Sequence, residues 1–470
     1  MLAAVTEFLW SYVLVAVLVI IGLTFTIGSR FVQFRYFGEM FRVLGQAFKH
    51  HTGQVSSFQA LTLSVAGRVG AGNIAGVAVA ITLGGPGAVF WMWMVGLIGM
   101  ATSFFECSLA QAYKTRDHRT GTFRGGPMFY IQRALGSRAL GMVFTLLLLF
   151  TFGLAFVALQ SFTASSSLEG AFGIPTHVTG IVLTIVIGFT IFGGVQRISR
   201  VTEIVVPVMA VAYILVALVV VAFNISAVPS VFVIIFQSAF GLEQAVGGGI
   251  GAAIMMGARR GLFSNEAGLG SAPNVAAVAF VPHPVNQGIV QSFSVFIDTA
   301  IICTATAFII VMAGMHEMGT VDNGVVLTQL ALREHVGPWG ETFVSVALML
   351  FAFSSILYNF YLGENASYWM NPDNPWFFIV FRILMLVMIL WGSMQELETI
   401  FNFADLTMAL LALVNLAALF LLVKICFRLM DDYDQQSRAG KVPVFEPEKF
   451  SDLDLDHDAW SDAADAVEKK

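Results

Sequence analysis

Asp298 stands in the apolar run Phe-Ile-Asp298-Thr299-Ala, with no basic residue nearby in sequence. A carboxylate in such surroundings must take a proton, meet a cation or pair with a basic side chain. Three readings follow: a ligand or electrostatic support for a metal cation, a proton site, or half of a structural ion pair. Other polar groups share this apolar setting. Arg260 and Glu266 lie six residues apart and are expected to pair. Arg68 is expected to hold one end of its bundle together, and Glu106 to partner an Arg of the adjoining loop. Gln160, in Val-Ala-Leu-Gln160-Ser161, offers an interhelical hydrogen bond or a ligand group. Ser354 and Ser355 follow Phe-Ala-Phe. Adjacent hydroxyls often bond back to their own helix, but beside free carbonyls they make an oxygen cage for a cation.

Two stretches set these groups in a pattern. Arg68-Val-Gly-Ala-Gly-Asn-Ile-Ala-Gly76 and Arg260-Gly-Leu-Phe-Ser-Asn-Glu-Ala-Gly268 match at Arg, Asn, Ala and Gly with a constant offset of 192 residues. Paired Gly-rich interruptions in two halves of a membrane protein point to a binding site. Backbone groups freed by unwinding cannot stay bare in hydrocarbon, and a ligand or ion satisfies them. Half-helix N-termini suit a carboxylate, and freed carbonyls suit a cation. Close helix packing through small residues is the plainer reading of such glycines, and Gly247/Gly251 and Gly257/Gly261 fit it. Gly70-Ala-Gly72-Asn-Ile-Ala75 also fits a dinucleotide fingerprint, but its flanks read as membrane helix with no βαβ unit.

The elements that position these groups are apolar helices. The 470 residues are 57% hydrophobic and 11% charged, against about 25% charged in soluble domains. About 20 apolar residues cross a bilayer, and eleven segments qualify: 8–28, 57–82, 88–112, 139–167, 176–194, 203–223, 241–277, 286–313, 341–363, 376–393 and 404–427. Amphipathic stretches at 31–48, 228–240 and 322–335 read as interfacial helices. The first span lacks a basic flank and a small-x-small site, so it reads as a retained helix and not a signal peptide. The fold class is an all-α polytopic membrane protein. One N-terminal helix precedes two five-helix repeats, about 56–223 and 241–427. Five is odd, so the repeats are inverted.

Lys and Arg place the termini. With residue 1 outside, the inner loops and tail hold Arg30, Arg35, Arg42 and Lys49, six residues from Lys114 to Arg138, Arg197 and Arg200, and seven residues from Lys424 to Lys470. The outer loops hold Arg333 alone. The expected arrangement is N-terminus outside, C-terminus cytoplasmic, in a plasma (inner) membrane. Two inner loops, near His283 and near Asp373, carry no Lys or Arg. A transmembrane domain covers 1–430, and the acidic tail 431–470 reads as disordered and solvated. There is no basic cluster suited to nucleic acid. Cys107, Cys303 and Cys426 have no metal-ligand spacing and read as small buried hydrophobes. No cofactor is expected, and the sequence leaves the oligomeric state open.

The chain resembles the alanine or glycine:cation symporter family. The resemblance rests on 70–78, on Gly-Gly-Pro-Gly-Ala-Val-Phe-Trp-Met-Trp at 84–93, on Gly-Gly-Pro-Met at 125–128, on the fourteen residues 260–273 and on His-Pro-Val at 283–285. It covers roughly 8–428. It implies the leucine-transporter fold, with broken first and sixth core helices, and symport of a small neutral amino acid with Na⁺. By resemblance, the substrate lies among Ala71, Gly72, Asn73, Gln160, Phe263, Asn265, Gly268 and Asn359. One Na⁺ site would use Asn73 and the substrate carboxylate, with Asp298; a second would use the Val69 carbonyl with Ser354 and Ser355. The chain departs from many relatives at Ala71, where they have Thr, and from some at Tyr358-Asn359, where they have Gly-Trp. A proton-coupled carrier using Asp298 is the alternative. A channel would build a ring-like filter, and no repeated filter is present. No metal set or nucleophile–base pair suggests an enzyme.

Overall fold

The computed structural model describes residues 2–47, 54–192, 194–241, 249–317 and 324–463. Lys49, Gly247, the start of the expected seventh span and residues 464–470 lie outside them. Among the described residues, eight helices are long and apolar enough to cross a bilayer, from Val5–Gly28 to Leu397–Leu421. The pair Ser57–Arg68 and Gly72–Gly84, bent by 46°, makes a ninth. The remaining two expected spans are a 16-residue helix, Thr176–Ile191, and a pair formed by Gly249–Asn265 and Ala272–Ala276. Each of these is short of a full crossing as a single helix. The amphipathic stretches form the helices Phe37–Ala47, Val228–Ala239 and Gly324–Val336.

Both breaks exist, but they are not at matching places. The first helix half starts with a reciprocal Ser56/Gln59 cap and ends at Arg68. Val69 is extended, with φ −83° and ψ 98°, and a wide π-helical turn restarts the helix at Gly72–Gly76. In the second stretch the helix continues through Phe263 and Ser264 to Asn265. Its break spans Glu266 to Ser271, where Glu266, Gly268 and Gly270 take positive φ. Two glycines, Gly70 and Gly72, fall within four residues of the first Arg, whereas Gly261 after the second is followed by Leu262, Phe263 and Ser264, which tolerate a helix. The motifs therefore align in sequence while their breaks differ in register.

Long polar side chains tie the bundle internally. Arg260 does not pair with Glu266 as expected. It forms an ion pair with Asp405 of the Leu397–Leu421 helix, while Glu266 accepts from Ser271 Oγ at 2.6 Å and Tyr358 OH at 3.0 Å. Glu106 does not reach a loop Arg either. Its two oxygens accept from Gly268 N–H at 3.1 Å and Asn415 Nδ2 at 3.0 Å. In both cases the break leaves backbone and hydroxyl donors nearer than the basic groups.

The tail overturns its expectation. Val423–Arg438 is a helix, and 439–463 folds over the end of the bundle that carries the basic loops. Arg428 holds Asp452 at 2.6 and 2.8 Å, Arg133 holds Asp454 at 3.1 and 3.2 Å, and Arg116 reaches Asp462 at 2.8 Å. Few apolar residues are available, yet Phe445, Phe450, Leu455 and Trp460 are all buried. The Trp460 indole donates to Ala112 O at 3.3 Å. Composition indicates disorder only for a chain with nothing to cover, and here the basic loops supply both charge and apolar surface. The two loops without Lys or Arg belong to this same end, because His283 meets Asp432 and Asp373 meets Arg119.

The His283–Asp432 contact, 3.1 Å, makes docking of the tail pH-sensitive. Burial pushes the His283 imidazole below its ordinary value, against the opposing bond to Asp432. Burial pushes the Asp432 carboxyl up, but His283, Gln436 and Lys449 outweigh it and hold it below the usual range. Undocking frees both groups to take protons, His283 below 6.5 and Asp432 below 3.8. Docking therefore weakens as pH falls, in that order. Hydrogen-exchange protection of 441–463 is expected to be full at alkaline pH and to drop first as pH passes 6.5. His283→Gln is expected to remove that first step.

Candidate binding site at the two helix breaks

The first break touches the end of the helix that leads into the second. A Cβ at Gly72 would lie 2.9 Å from Ser264 Cα and 3.2 Å from a ring carbon of Phe263. Only glycine lets the first break approach the second helix so closely. Arg68 spans the same junction. Its Nε donates to Asn265 O at 2.6 Å, and the rest of the guanidinium reaches Ser64, Ser103, Gln291 and Ser294. Arg68 is 2% exposed. Instead of an ion-pair partner, it has oxygens of carbonyls, amides and hydroxyls around it.

One side chain of the broken span itself and others from neighbouring helices satisfy the first break. Asn73 Oδ1 accepts from Gly70 N–H at 2.9 Å, and Gln160 Oε1 accepts from Ala71 N–H at 3.2 Å. Ser355 Oγ donates to Ala66 O at 2.7 Å. A Cβ at Gly70 would meet Ser355 Oγ at 2.6 Å and Gln160 Nε2 at 3.0 Å. Val69, Ala71, Gln160 and Ser355 are thus gathered around one unwound segment. Ser354 instead donates to Phe351 O of its own helix at 3.0 Å. Asn359, one turn beyond Ser355, is buried, and its Nδ2 has no hydrogen-bond partner.

Asp298 lies on a second wide turn, Phe296–Cys303. π-Turns of this kind are frequent at functional sites. Its Oδ1 accepts from Asn73 Nδ2 at 2.6 Å and Ser264 Oγ at 3.0 Å, and its Oδ2 from Thr299 Oγ1 at 2.8 Å. It is fully buried. Among the described residues no Lys, Arg or His comes within ion-pair distance, which removes the structural ion-pair reading. The surrounding donors are neutral, so a monovalent cation would complete the charge balance. Asn73 points its nitrogen at Asp298 and its oxygen at Gly70, so in this state it offers a cation no oxygen. Ser264 and Thr299 were not singled out in the sequence, although both sit inside quoted motifs next to residues that were.

The remaining expected residues divide. Phe263 is buried, and its ring packs on Phe156 at 5.0 Å and Phe401 at 5.9 Å. It also faces Gly72 and Gly76 of the first break and not lipid. Asn265 contributes its carbonyl to Arg68, and its Oδ1 accepts from Ala267 N–H at 3.0 Å. Gly268 stands apart. Its N–H goes to Glu106 and its C=O accepts from Asn415 at 2.9 Å, leaving neither for a ligand.

Residues 1–447 match the profile described as Sodium:alanine symporter family. The chain belongs to that family. It is 48% identical to the amino-acid carrier protein AlsT of Bacillus subtilis (strain 168), over 97% of this chain and 96% of AlsT. The probable sodium/glutamine symporter GlnT of the same organism is 45% identical, over 93% of this chain and 91% of GlnT. The sodium/alanine symporter AgcS of Methanococcus maripaludis is 37% identical, over 89% and 93%. Among solved structures, MhsT in complex with L-phenylalanine superposes with a TM-score of 0.54 at 12% identity, covering 77% of this chain and 88% of MhsT. A manganese transporter of Eremococcus coleocola gives 0.53 at 16%, covering 76% of each chain. These structural likenesses establish the leucine-transporter-like fold. The protein is a multi-pass membrane transporter and not an enzyme.

The contact at Gly72 generates a test. Gly72→Ala places a methyl against the backbone of Ser264, so the first break and the second helix must separate, at a cost of about 1–3 kcal/mol. The variant is expected to remain folded in detergent and to lose amino-acid uptake in proteoliposomes.

Proposed function

We propose that this transporter couples Na⁺ entry to uptake of a small neutral amino acid, alanine or glycine, by alternating access. One observation carries the reading. The first break packs on the helix end that leads into the second, beside a buried carboxylate that has hydrogen-bond donors but, among the described residues, no counterion. The family membership and the names of the relatives support an amino acid as substrate and Na⁺ as the ion. In this reading the substrate carboxylate displaces Gln160 or lies beside it at the N–H groups of Ala71 and Gly72. Carbonyls of the second break receive the ammonium. Na⁺ is held near Asp298, with Ser264 and Thr299 as oxygen donors. A second Na⁺ lies between the Val69 carbonyl and Ser355, with Ser354 after a rotamer change. The N-terminus faces outward and the C-terminal tail the cytoplasm of a plasma membrane.

Uptake into proteoliposomes tests this directly. Labelled alanine is expected to accumulate under an inward Na⁺ gradient. Accumulation under a pH gradient without Na⁺ would instead favour proton coupling through Asp298. Ser355→Ala removes one cation oxygen and leaves the substrate wall intact. It is expected to raise the Na⁺ concentration for half-maximal uptake by about tenfold, the equivalent of one lost hydrogen-bond-sized interaction. An unchanged Na⁺ dependence would remove Ser355 from the ion site.

Backbone contacts to carboxylate and ammonium are common to all amino acids, so the wall must choose the side chain. Phe263 is that wall. Phe263→Ala is expected to admit leucine and methionine as competitors of labelled alanine, and to weaken alanine transport itself. A single methylene changes affinity by about 1–3 kcal/mol, while an aromatic ring excludes by overlap.

A further inference from the structure

Asp405 was not among the residues singled out in the sequence, yet it is a fully enclosed carboxylate inside a predicted span. It lies one turn beyond Phe401 on the Leu397–Leu421 helix, and Arg260 lies one turn before Phe263 on the Gly249–Asn265 helix. The two helices face each other with these pairs stacked. Arg260 forms its ion pair with Asp405 Oδ2, and its guanidinium carbon sits 4.7 Å from the Phe401 ring centroid and 5.5 Å from that of Phe263. The charge therefore rests on the two rings that pack at the substrate wall.

The same residue ties in the first helix, through its backbone carbonyl to Trp10 and through its carboxylate to Arg259. The Trp10 indole N–H donates to Asp405 O at 3.1 Å, Arg259 Nη1 lies 3.6 Å from Asp405 Oδ2, and Arg259 stacks over the Trp10 ring at 5.5 Å. Trp10 is completely buried. It belongs to Val5–Gly28, the helix outside both expected repeats.

The arrangement has little redundancy. Arg260 Nε and Nη1 and Asp405 Oδ1 have no hydrogen-bond partner, so one ion contact and the aromatic stacking hold the guanidinium. Take away the carboxylate and two guanidiniums are left facing each other in a buried place. Arg260 must then swing toward water and leave the ring it covers, because an unpaired buried charge is far costlier than a paired one. The orientation of Phe263 then loses its support on that side.

We propose that Trp10, Asp405 and Arg260 are positioning residues that fix the Phe263 wall, so that the additional first helix helps to set the size of amino acid accepted. None of the three touches the substrate; they act through the ring. This rests on the reading of Phe263 as the selectivity wall.

The experiment is competition of labelled alanine uptake in proteoliposomes by glycine, valine, leucine and methionine. Asp405→Asn, Asp405→Glu and Trp10→Phe are compared with the parent and with Phe263→Ala. Asp405→Asn is expected to let leucine compete at a concentration about tenfold lower than in the parent, within the range for a reshaped apolar pocket. The alanine KM rises in the same variant. Trp10→Phe, which removes the indole N–H to the Asp405 carbonyl and narrows the ring under Arg259, shifts the profile in the same direction by a smaller factor, and Asp405→Glu keeps the parent profile. The double variant Asp405→Asn/Phe263→Ala is expected to match Phe263→Ala alone, because a positioning residue has no effect once its ring is gone. If Phe263→Ala leaves the profile unchanged, the wall reading fails. If Phe263→Ala widens the profile while Asp405→Asn only lowers the maximal rate, the positioning role is overturned and the pair is merely structural. Should Asp405→Asn not fold, Trp10→Phe decides alone: a profile identical to the parent overturns the proposal.

Discussion

A peptide group inside a bilayer has no water to turn to, and this constraint shapes the transporter more than any other. An intact helix meets it internally, but a broken helix cannot. Each break here is therefore surrounded by polar side chains from elsewhere in the chain. Asn73 and Gln160 accept the N–H groups of Gly70 and Ala71. Ser355 donates to Ala66 O, Arg68 to Asn265 O, and Glu106 and Asn415 take both backbone groups of Gly268. The cost of unwinding is offset residue by residue. A substrate that replaces one of these partners exchanges a hydrogen bond for an equivalent one, so binding need not open an unsatisfied group.

The charges around the junction follow the same economy of partners. Glu106, Glu266 and Asp298 are all buried, and Arg68 is the buried cation at the junction. Each carboxylate is met by neutral donors instead of a direct ion pair, and Arg68 by neutral acceptors. Through-space attraction still links them, but no contact locks them together. Buried ion pairs are costly to break, and a site that must release its cargo is better served by hydrogen bonds that can be re-formed. Asp298 bonds both sides of the contact between the first break and the second helix, through Asn73 and Ser264. Cation binding there would bear on both halves of the fold at once.

Much of this was legible in the sequence, and the exceptions have physical causes. Helical spans could be read because about 20 apolar residues have few other uses. The unwinding after Arg68 was legible because two glycines, Gly70 and Gly72, fall within the next four residues. The second break was misplaced because Phe263 and Ser264 share a motif with the glycines but hold helical geometry, while Glu266 adopts positive φ without a glycine's freedom. Asp298 could be found as a lone carboxylate, but Asp405 carries the same signature and was passed over. Ion partners were the least legible. Arg260 and Glu266 are neighbours in sequence, whereas Arg260 and Asp405 meet only through packing. The tail was misread for a related reason: its acidic composition implies solvation only when the complementary basic surface is left out.

Recognition of the amino-acid core and choice of its side chain are separable in this architecture. In the proposed site, Gln160 and the first break would face the groups that every amino acid shares, and Phe263, with Phe156 and Phe401 against it, the variable part. The first set is held by hydrogen bonds to backbone, which tolerate no change of geometry without leaving a buried group unpaired. The second is held by ring packing and a stacked guanidinium, which tolerate repacking at modest cost. Relatives named for alanine and for glutamine share close to half or more than a third of their residues with this chain. Such divergence of cargo on one scaffold is expected where selectivity rests on the replaceable wall and coupling on the fixed backbone cradle.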